Sequence, residues 1–276
     1  MQPGIFARTF SRPTVEKAFD AVIEHGLSCV QFNMACAGLP SLPDQIETDL
    51  ATRISEAAKS RGISLAAVSG TYNMIHPDIQ IRALGLRRLR VLASTCHKMG
   101  TEVITLCTGT RDPENMWRWH SDNTSSQAWT DLLHALDAAL RIAEEYQVTL
   151  AFEPEQANVI NTAARGNELL RSLQSSRLKV VIDPANLITS ERSQHQILDE
   201  AFNLLGEHII IAHAKDRAPD ETFRAAGEGI LDYKLYLSLL QSINFQGPII
   251  LHGLAENQVD TSLQFLRNTL HSSSPN

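Results

Sequence analysis

Four cysteines are all this sequence holds, and spacing pairs none of them. Cys29, Cys36, Cys96 and Cys107 form no CxxC motif, which argues against a zinc ribbon or a thioredoxin-type centre and leaves buried free thiols. No apolar run approaches the ~18 residues of a membrane helix. The opening stretch, MQPGIFAR, lacks an apolar core of signal-peptide length. The expectation is a cytoplasmic protein with no membrane partner. Neither GxGxxG nor GxxxxGK[ST] occurs, so the motif-defined nucleotide sites find no support. Positive charge is also short. The net charge is −7, and no nucleic acid is expected as partner. Linkers, low-complexity tracts and long repeats are missing as well.

What remains is a regular alternation. Hydrophobic residues make up 43% of 276 and charged residues 20%, the balance of a globular protein with a sizeable core. Strand-like runs at 5–10, 29–34, 64–69 and 103–107 alternate with helical patterns at 14–25, 44–60, 81–98 and 125–146. In the last of these, Leu132, Leu133, Leu136, Ala139, Leu140 and Ala143 repeat with the helical period. Four more apolar runs follow, at 148–152, 178–182, 209–212 and 248–251. Helical patterns at 163–174, 194–205, 233–242 and 261–270 separate and follow them. Near-continuous apolar strands between amphipathic helices predict a parallel sheet covered by helices. Eight such units in one domain spanning 1–276 close best as a (β/α)8 barrel, whose usual length is about 250 residues. A doubly wound open sheet is the alternative.

Each of the last four runs stops on a metal-capable side chain: Glu153, Asp183, His213 and His252. In a parallel barrel the C-terminal strand ends converge, and chemistry sits there. Two carboxylates and two imidazoles in one register suit a divalent cation. Taken singly, each has a plainer role. Glu153 can pair with a basic residue at the barrel mouth, Asp183 can cap the turn into Pro184, and His213 and His252 can be satisfied core residues. Glu155 can orient substrate or be solvated. Asn186 can donate to a substrate oxygen or make an Asx turn. Lys215 and Arg217 can hold a substrate hydroxyl, carboxylate or phosphate, or be loop charge. Gly227-Glu228-Gly229 allows close backbone approach to a ligand and equally suits a tight loop. Tyr72 and His76 follow the third strand. The long loop after the fourth carries Trp117, Trp119 and His120, and its two indoles suggest a lid that packs on something. Arg82, Arg87, Arg88 and Arg90 lie on the third helix, far from the strand ends, as a solvated face.

The order Ala-Phe-Glu-Pro-Glu, Val-Ile-Asp-Pro-Ala-Asn, Ala-His-Ala-Lys-Asp and Gly-Glu-Gly-Ile-Leu-Asp-Tyr resembles the xylose isomerase-like sugar phosphate isomerase/epimerase superfamily across nearly the whole chain. The resemblance implies a TIM barrel holding one divalent ion (Mn, Zn, Co or Mg) and acting on a sugar, polyol or keto-sugar, phosphorylated or not, through an enediolate. Carried over, the metal ligands of the epimerase branch are Glu153, Asp183 and His213. The fourth position departs from the family, with His252 where a glutamate is usual, and Asn186 stands where a histidine is usual. Glu153 and His252 are the implied acid and base, with Glu155 or Glu256 as substitutes. Tyr72, His76, Glu155, Asn186, Lys215, Arg217 and Glu228 are the implied substrate contacts. A dehydratase of the same fold, an endonuclease IV-like hydrolase and a non-catalytic sugar-binding barrel stay open as alternatives, as does association of copies into a homo-oligomer.

Overall fold

The computed structural model describes residues 1–272. Eight parallel strands close a barrel: β1 (Gln2–Phe6), β2 (Cys29–Phe32), β3 (Ser64–Ser69), β4 (Val103–Cys107), β5 (Thr149–Glu153), β6 (Leu178–Ile182), β7 (Ile209–Ala214) and β8 (Pro248–Leu251). They lie in sequence order, and β1 pairs with β8 from Gln2↔Pro248 to Ile5↔Leu251. This is a single (β/α)8 TIM barrel. The open-sheet alternative is excluded by that seam.

Helices α1 (Val15–Glu24), α2 (Thr48–Lys59), α3 (Ile79–Met99), α4 (Ser126–Glu145), α5 (Ala163–Leu173), α6 (Gln194–Leu205), α7 (Tyr233–Ser242) and α8 (Val259–Ser272) follow the strands in turn. Short polar side chains start most of them. Thr14, Asp78, Ser125, Thr162, Ser193 and Asp232 each accept a hydrogen bond from a backbone N–H of the first turn, satisfying donors that the helix leaves unpaired. The outer core between strands and helices is continuous and apolar, with Phe19, Phe32, Phe152 and Tyr236 among its largest buried side chains.

The first strand sits earlier than the hydrophobic pattern predicts. Residues 2–5 are used in the seam with β8, after which Ala7–Thr9 turns as a 3-10 helix closed by Phe10 N–H donating to Ala7 O. Two short elements have no forerunner in the periodicity. One is a helical turn, Pro184–Leu187. The other is an antiparallel ribbon pairing Asp216–Arg217 with Phe223–Arg224 in the loop after β7. The basic set on α3 is not merely solvated. Arg82 pairs with Asp131, Arg88 with Asp44 and Arg90 with Glu145, which ties α3 to its neighbours.

Candidate metal centre

The two-residue period of a strand decides what faces the barrel axis. Ala151, Val181, Ile211 and Ile250, with Cys29 and Ala67, form a small apolar cluster separate from the outer core. Two residues on, in the same phase, stand Glu153, Asp183, His213 and His252. The register agrees, since Ile250 of β8 is opposite His213 of β7. The predicted ligand positions therefore share the interior face at the C-terminal end of the barrel.

Three of the four converge. Asp183, His213 and His252 each offer a ligand atom within 4.8 Å of the others. Asp183 and His213 are 0% and 1% exposed. His252 is partly exposed as a residue, but its Nδ1 is buried. The imidazoles of His213 and His252 stack at 5.0 Å with their planes 8° apart. Asp183 divides its carboxylate. Oδ1 accepts from Ala185 N at 3.0 Å and caps the Pro184–Leu187 turn, while Oδ2 faces the cluster. The turn-capping and ligand roles of Asp183 thus coexist, one oxygen for each.

Asp183 Oδ2, His213 Nδ1 and His252 Nδ1 are buried and have no hydrogen-bond partner. Lys215 Nζ lies 2.9 Å from Asp183 Oδ2 as an ion pair off the hydrogen-bonding direction. Buried polar atoms without partners are costly, and two such nitrogens converge with the ion-paired Asp183 oxygen to form a donor set of two nitrogens and one oxygen. Such a set fits a divalent cation of borderline softness.

Glu153 stands beside this cluster rather than in it. Its Oε1 accepts from Asn186 Nδ2 at 2.6 Å and is 3.5 Å from His213 Nδ1. Asn186 Oδ1 in turn accepts from Lys215 Nζ at 2.7 Å. One chain of contacts therefore runs from Glu153 through Asn186 and Lys215 to Asp183. The ammonium also lies 3.9 Å over the Phe223 ring.

The electrostatics follow from burial and these neighbours. Burial pulls the His213 imidazole down, but the Glu153 and Asp183 carboxylates outweigh it and raise it to about 9. Burial, with His213 and Lys215 alongside, pushes His252 down to about 3. Burial disfavours the Asp183 carboxylate, yet Lys215 and His213 hold it below the usual range. Burial and the nearby Glu153 raise Glu155 to about 7.

The other predicted contacts are placed variously. Glu155 accepts from Asn158 Nδ2 at 2.9 Å. Arg217 is buried and engaged, donating from Nη1 to Ala185 O and from Nη2 to Gln156 Oε1. Glu228 is exposed and accepts from Gln258 Nε2. Glu256 is taken up by Arg12. The Tyr72 ring packs so closely on α3 that a Cβ at Gly85 would lie 2.1 Å from it. His76 links loops, with Nε2 3.0 Å from Pro113 O and Nδ1 accepting from Asp78 N. Tyr72 and His76 line a cleft of about 420 Å³ that Asp183, His213 and His252 do not line. Trp117 and Trp119 are 56% and 49% exposed, so the loop after β4 is not held by its indoles. One residue against the cluster was not singled out from the sequence. Gln31, in β2, touches His213 Nε2 at 2.9 Å. Its signal was a lone amide inside an apolar strand.

Residues 19–269 match the family model described as xylose isomerase-like TIM barrel. The chain belongs to this family. Solved structures share the fold at low identity. A D-psicose 3-epimerase from Clostridium cellulolyticum H10, solved with D-tagatose, is 17% identical, with a TM-score of 0.75 over 98% of this chain and 99% of that one. A D-tagatose 3-epimerase-like protein is 16% identical, with a TM-score of 0.80 over 99% and 98%. An IolI protein with a bound zinc atom is 16% identical, with a TM-score of 0.74 over 99% and 98%. Among curated protein sequences, none matches the chain.

Proposed function

We propose that this xylose isomerase-like barrel is a metal-dependent isomerase or epimerase of a sugar, polyol or keto-sugar. The observation that carries the reading is the convergence at the strand ends of three buried donors, Asp183 Oδ2 with the hydrogen-bond-free His213 Nδ1 and His252 Nδ1. The sugar epimerases and the zinc-bound protein among its structural neighbours support it.

Asp183, His213 and His252 would hold the ion, with Glu153 beside His213. When bound, a divalent ion polarises a carbonyl and its neighbouring hydroxyl and so acidifies the adjacent C–H. The remaining work falls to the chain. The Glu153 carboxylate is fixed by Asn186 beside the cluster, placed to take a proton from the substrate carbon. Return of a proton to the other face needs a second group. Glu155, two residues beyond Glu153 and raised to about 7 by burial and Glu153, is the group at hand; His252, pushed down to about 3, carries no proton to return. The Lys215 ammonium, held between Asp183 and Asn186, sets a fixed positive charge where an enediolate oxygen gathers charge. Fixed dipoles and charges of this kind need no reorganisation during reaction, which is why they lower barriers.

The test begins with chelator-stripped protein titrated calorimetrically with Zn²⁺, Co²⁺, Mn²⁺ and Mg²⁺. Ketoses, inososes and sugar phosphates are then screened in D₂O by NMR for exchange at carbon. Binding tighter than micromolar is expected, together with exchange that Glu153→Gln abolishes. Absence of both ends the proposal.

A further inference from the structure

Strand β2 reads Cys-Val-Gln-Phe, and all four residues are buried. An amide in the middle of a barrel is costly unless its donors and acceptor are used. Gln31 uses both ends. Nε2 donates to Ser69 Oγ on β3 at 3.4 Å and to Thr105 Oγ1 on β4 at 3.3 Å. Oε1 faces β7, where His213 Nε2 lies 2.9 Å away. An amide oxygen only accepts, so with Oε1 toward the imidazole His213 Nε2 is the donor of that bond.

A neutral imidazole has one N–H and one lone pair. Glu153 and Asp183 favour a second proton on Nδ1 in the metal-free ring; once that proton leaves, Nε2–H stays committed to Gln31 and the lone pair belongs to Nδ1. That nitrogen is the one without a partner, 3.5 Å from Glu153 Oε1 and 3.7 Å from Asp183 Oδ2. The ring of His252 stacks nearly parallel on His213, so fixing one ring limits the tilt of the other. The Tyr236 hydroxyl adds a bond to His213 O at 3.1 Å, which holds the backbone but leaves the ring free to turn. Glu153 and Asp183 face Nδ1; the contact that keeps a proton on Nε2 is that to Gln31.

We infer that Gln31 is a positioning residue: it sets the tautomer and direction of His213 so that Nδ1 presents its lone pair to the cation position. The consequence for metal binding rests on the proposed function; the tautomer does not. Outer partners of a ligating histidine typically change metal affinity 10- to 100-fold when removed. A mere filler of the barrel would be replaceable by an apolar side chain of similar volume without touching the ring protons.

The experiment uses the full chain labelled with ¹⁵N-histidine, with zinc as the probe. Long-range ¹⁵N–¹H spectra, recorded at neutral pH with zinc and above pH 9 without it, read each ring nitrogen of His213, and calorimetry reads zinc affinity. Wild type is expected to show Nε2 protonated both without and with zinc. Gln31→Leu should lose the slowly exchanging Nε2–H and weaken zinc by about 10- to 100-fold. Gln31→Glu, which keeps an acceptor oxygen, should restore both. If Gln31→Leu does not fold, Thr105→Val replaces it, removing only an anchor of the amide, and should speed exchange of the same proton. An unprotonated Nε2 in wild type overturns the inference, and so does a ring signal indifferent to these substitutions. A protonated, Gln31-dependent Nε2 in a protein that binds no zinc supports the positioning and overturns the metal reading. The two can therefore fail separately.

Discussion

His252 gives this barrel a nitrogen where its resemblance to sugar epimerases places a carboxylate oxygen. Two imidazoles and a carboxylate favour zinc or cobalt over the harder magnesium and manganese, and the His252 ring, which burial, His213 and Lys215 push down to about 3, is unprotonated and ready to bind at neutral pH. Replacing it with an oxygen donor should move preference the other way. In His252→Glu, the ratio of zinc to manganese affinity is expected to fall on the order of tenfold or more, about 1.4 kcal/mol, by competition calorimetry. An unchanged ratio would remove His252 from the ligand set. Lys215 poses the opposite question, because its ammonium already sits 2.9 Å from Asp183 Oδ2, with both side chains buried. Removing one member of a buried ion pair costs roughly 3–5 kcal/mol, since the other is left uncompensated. Lys215→Met should lose about that much stability in metal-free protein by urea unfolding, and zinc should recover part of it by supplying the missing positive charge. Loss that zinc leaves untouched would mean the ammonium and the ion do not share Asp183. The strand-end donors were legible in the sequence because a two-residue period and the end of an apolar run fix direction and depth together. The chain from Glu153 through Asn186 to Lys215, and the bond from Gln31 to His213, were not. They join residues on different strands through side-chain conformations that spacing does not encode.

Among the elements, the loop after β4 shows where local pattern misleads. Its length pointed to a lid, and its two tryptophans suggested what it packs with, yet both indoles face solvent. Asparagines hold it instead. Asn73 accepts from Thr110 N at 3.0 Å and donates to Thr110 O at 2.8 Å; Asn123 accepts from Arg111 N at 2.7 Å and donates to Ala157 O at 3.0 Å. An amide that bonds backbone at both ends substitutes for sheet pairing, but nothing in composition distinguishes it from an ordinary turn asparagine. Asp112 adds a charge-dependent clasp. Its side chain accepts from Glu114 N, Asn115 N and the Arg118 guanidinium. Arg118 holds this carboxyl well below the usual carboxylate range, against the effect of burial. A depressed folded-state value means that the stabilisation is present above the unfolded value, near 3.9, and is lost as pH falls below it through the folded value. Acidification below about pH 4 should therefore loosen the loop, seen as a change in the emission of Trp117 and Trp119. In Asp112→Asn the loop should be looser at neutral pH and its acid response smaller. Identical acid profiles in the two proteins would sink the clasp.

At the scale of the whole molecule, the candidate metal centre is a product of closure. Asp183, His213 and His252 stand at the ends of β6, β7 and β8, and β8 pairs on its far side with β1. β1 is tightly packed on both sides: a Cβ at Gly4 would lie 2.7 Å from Ile250 Cδ1 across the seam and 2.8 Å from Cys29 O on β2. That space is reserved for hydrogen in the backbone of β1, two positions along the strand from the Phe6 ring that faces His252 at 5.2 Å. The fold was legible from the count of strands and helices because each unit carries its own period. The closing register was not, since it depends on a close approach between the two ends of the chain. An ion held by Asp183, His213 and His252 would tie the last strands of the barrel together and bind only the closed form. At metal concentrations about 100-fold above Kd, binding to the native state alone adds about 2.7 kcal/mol. For a chain of this size that corresponds to a rise in melting temperature of roughly 5–11 °C, at about 2–4 °C per kcal/mol. Zinc added to stripped wild type should give that rise in calorimetric scans, and Asp183→Asn should abolish it. Gly4→Val separates closure from donors. It leaves every ligand in place, yet it should weaken zinc binding more than an equally destabilising substitution on the exposed face of α4, because forcing β1 away from β8 releases the strand that delivers His252. Equal zinc affinities in those two variants would show that the donors hold their positions without the seam.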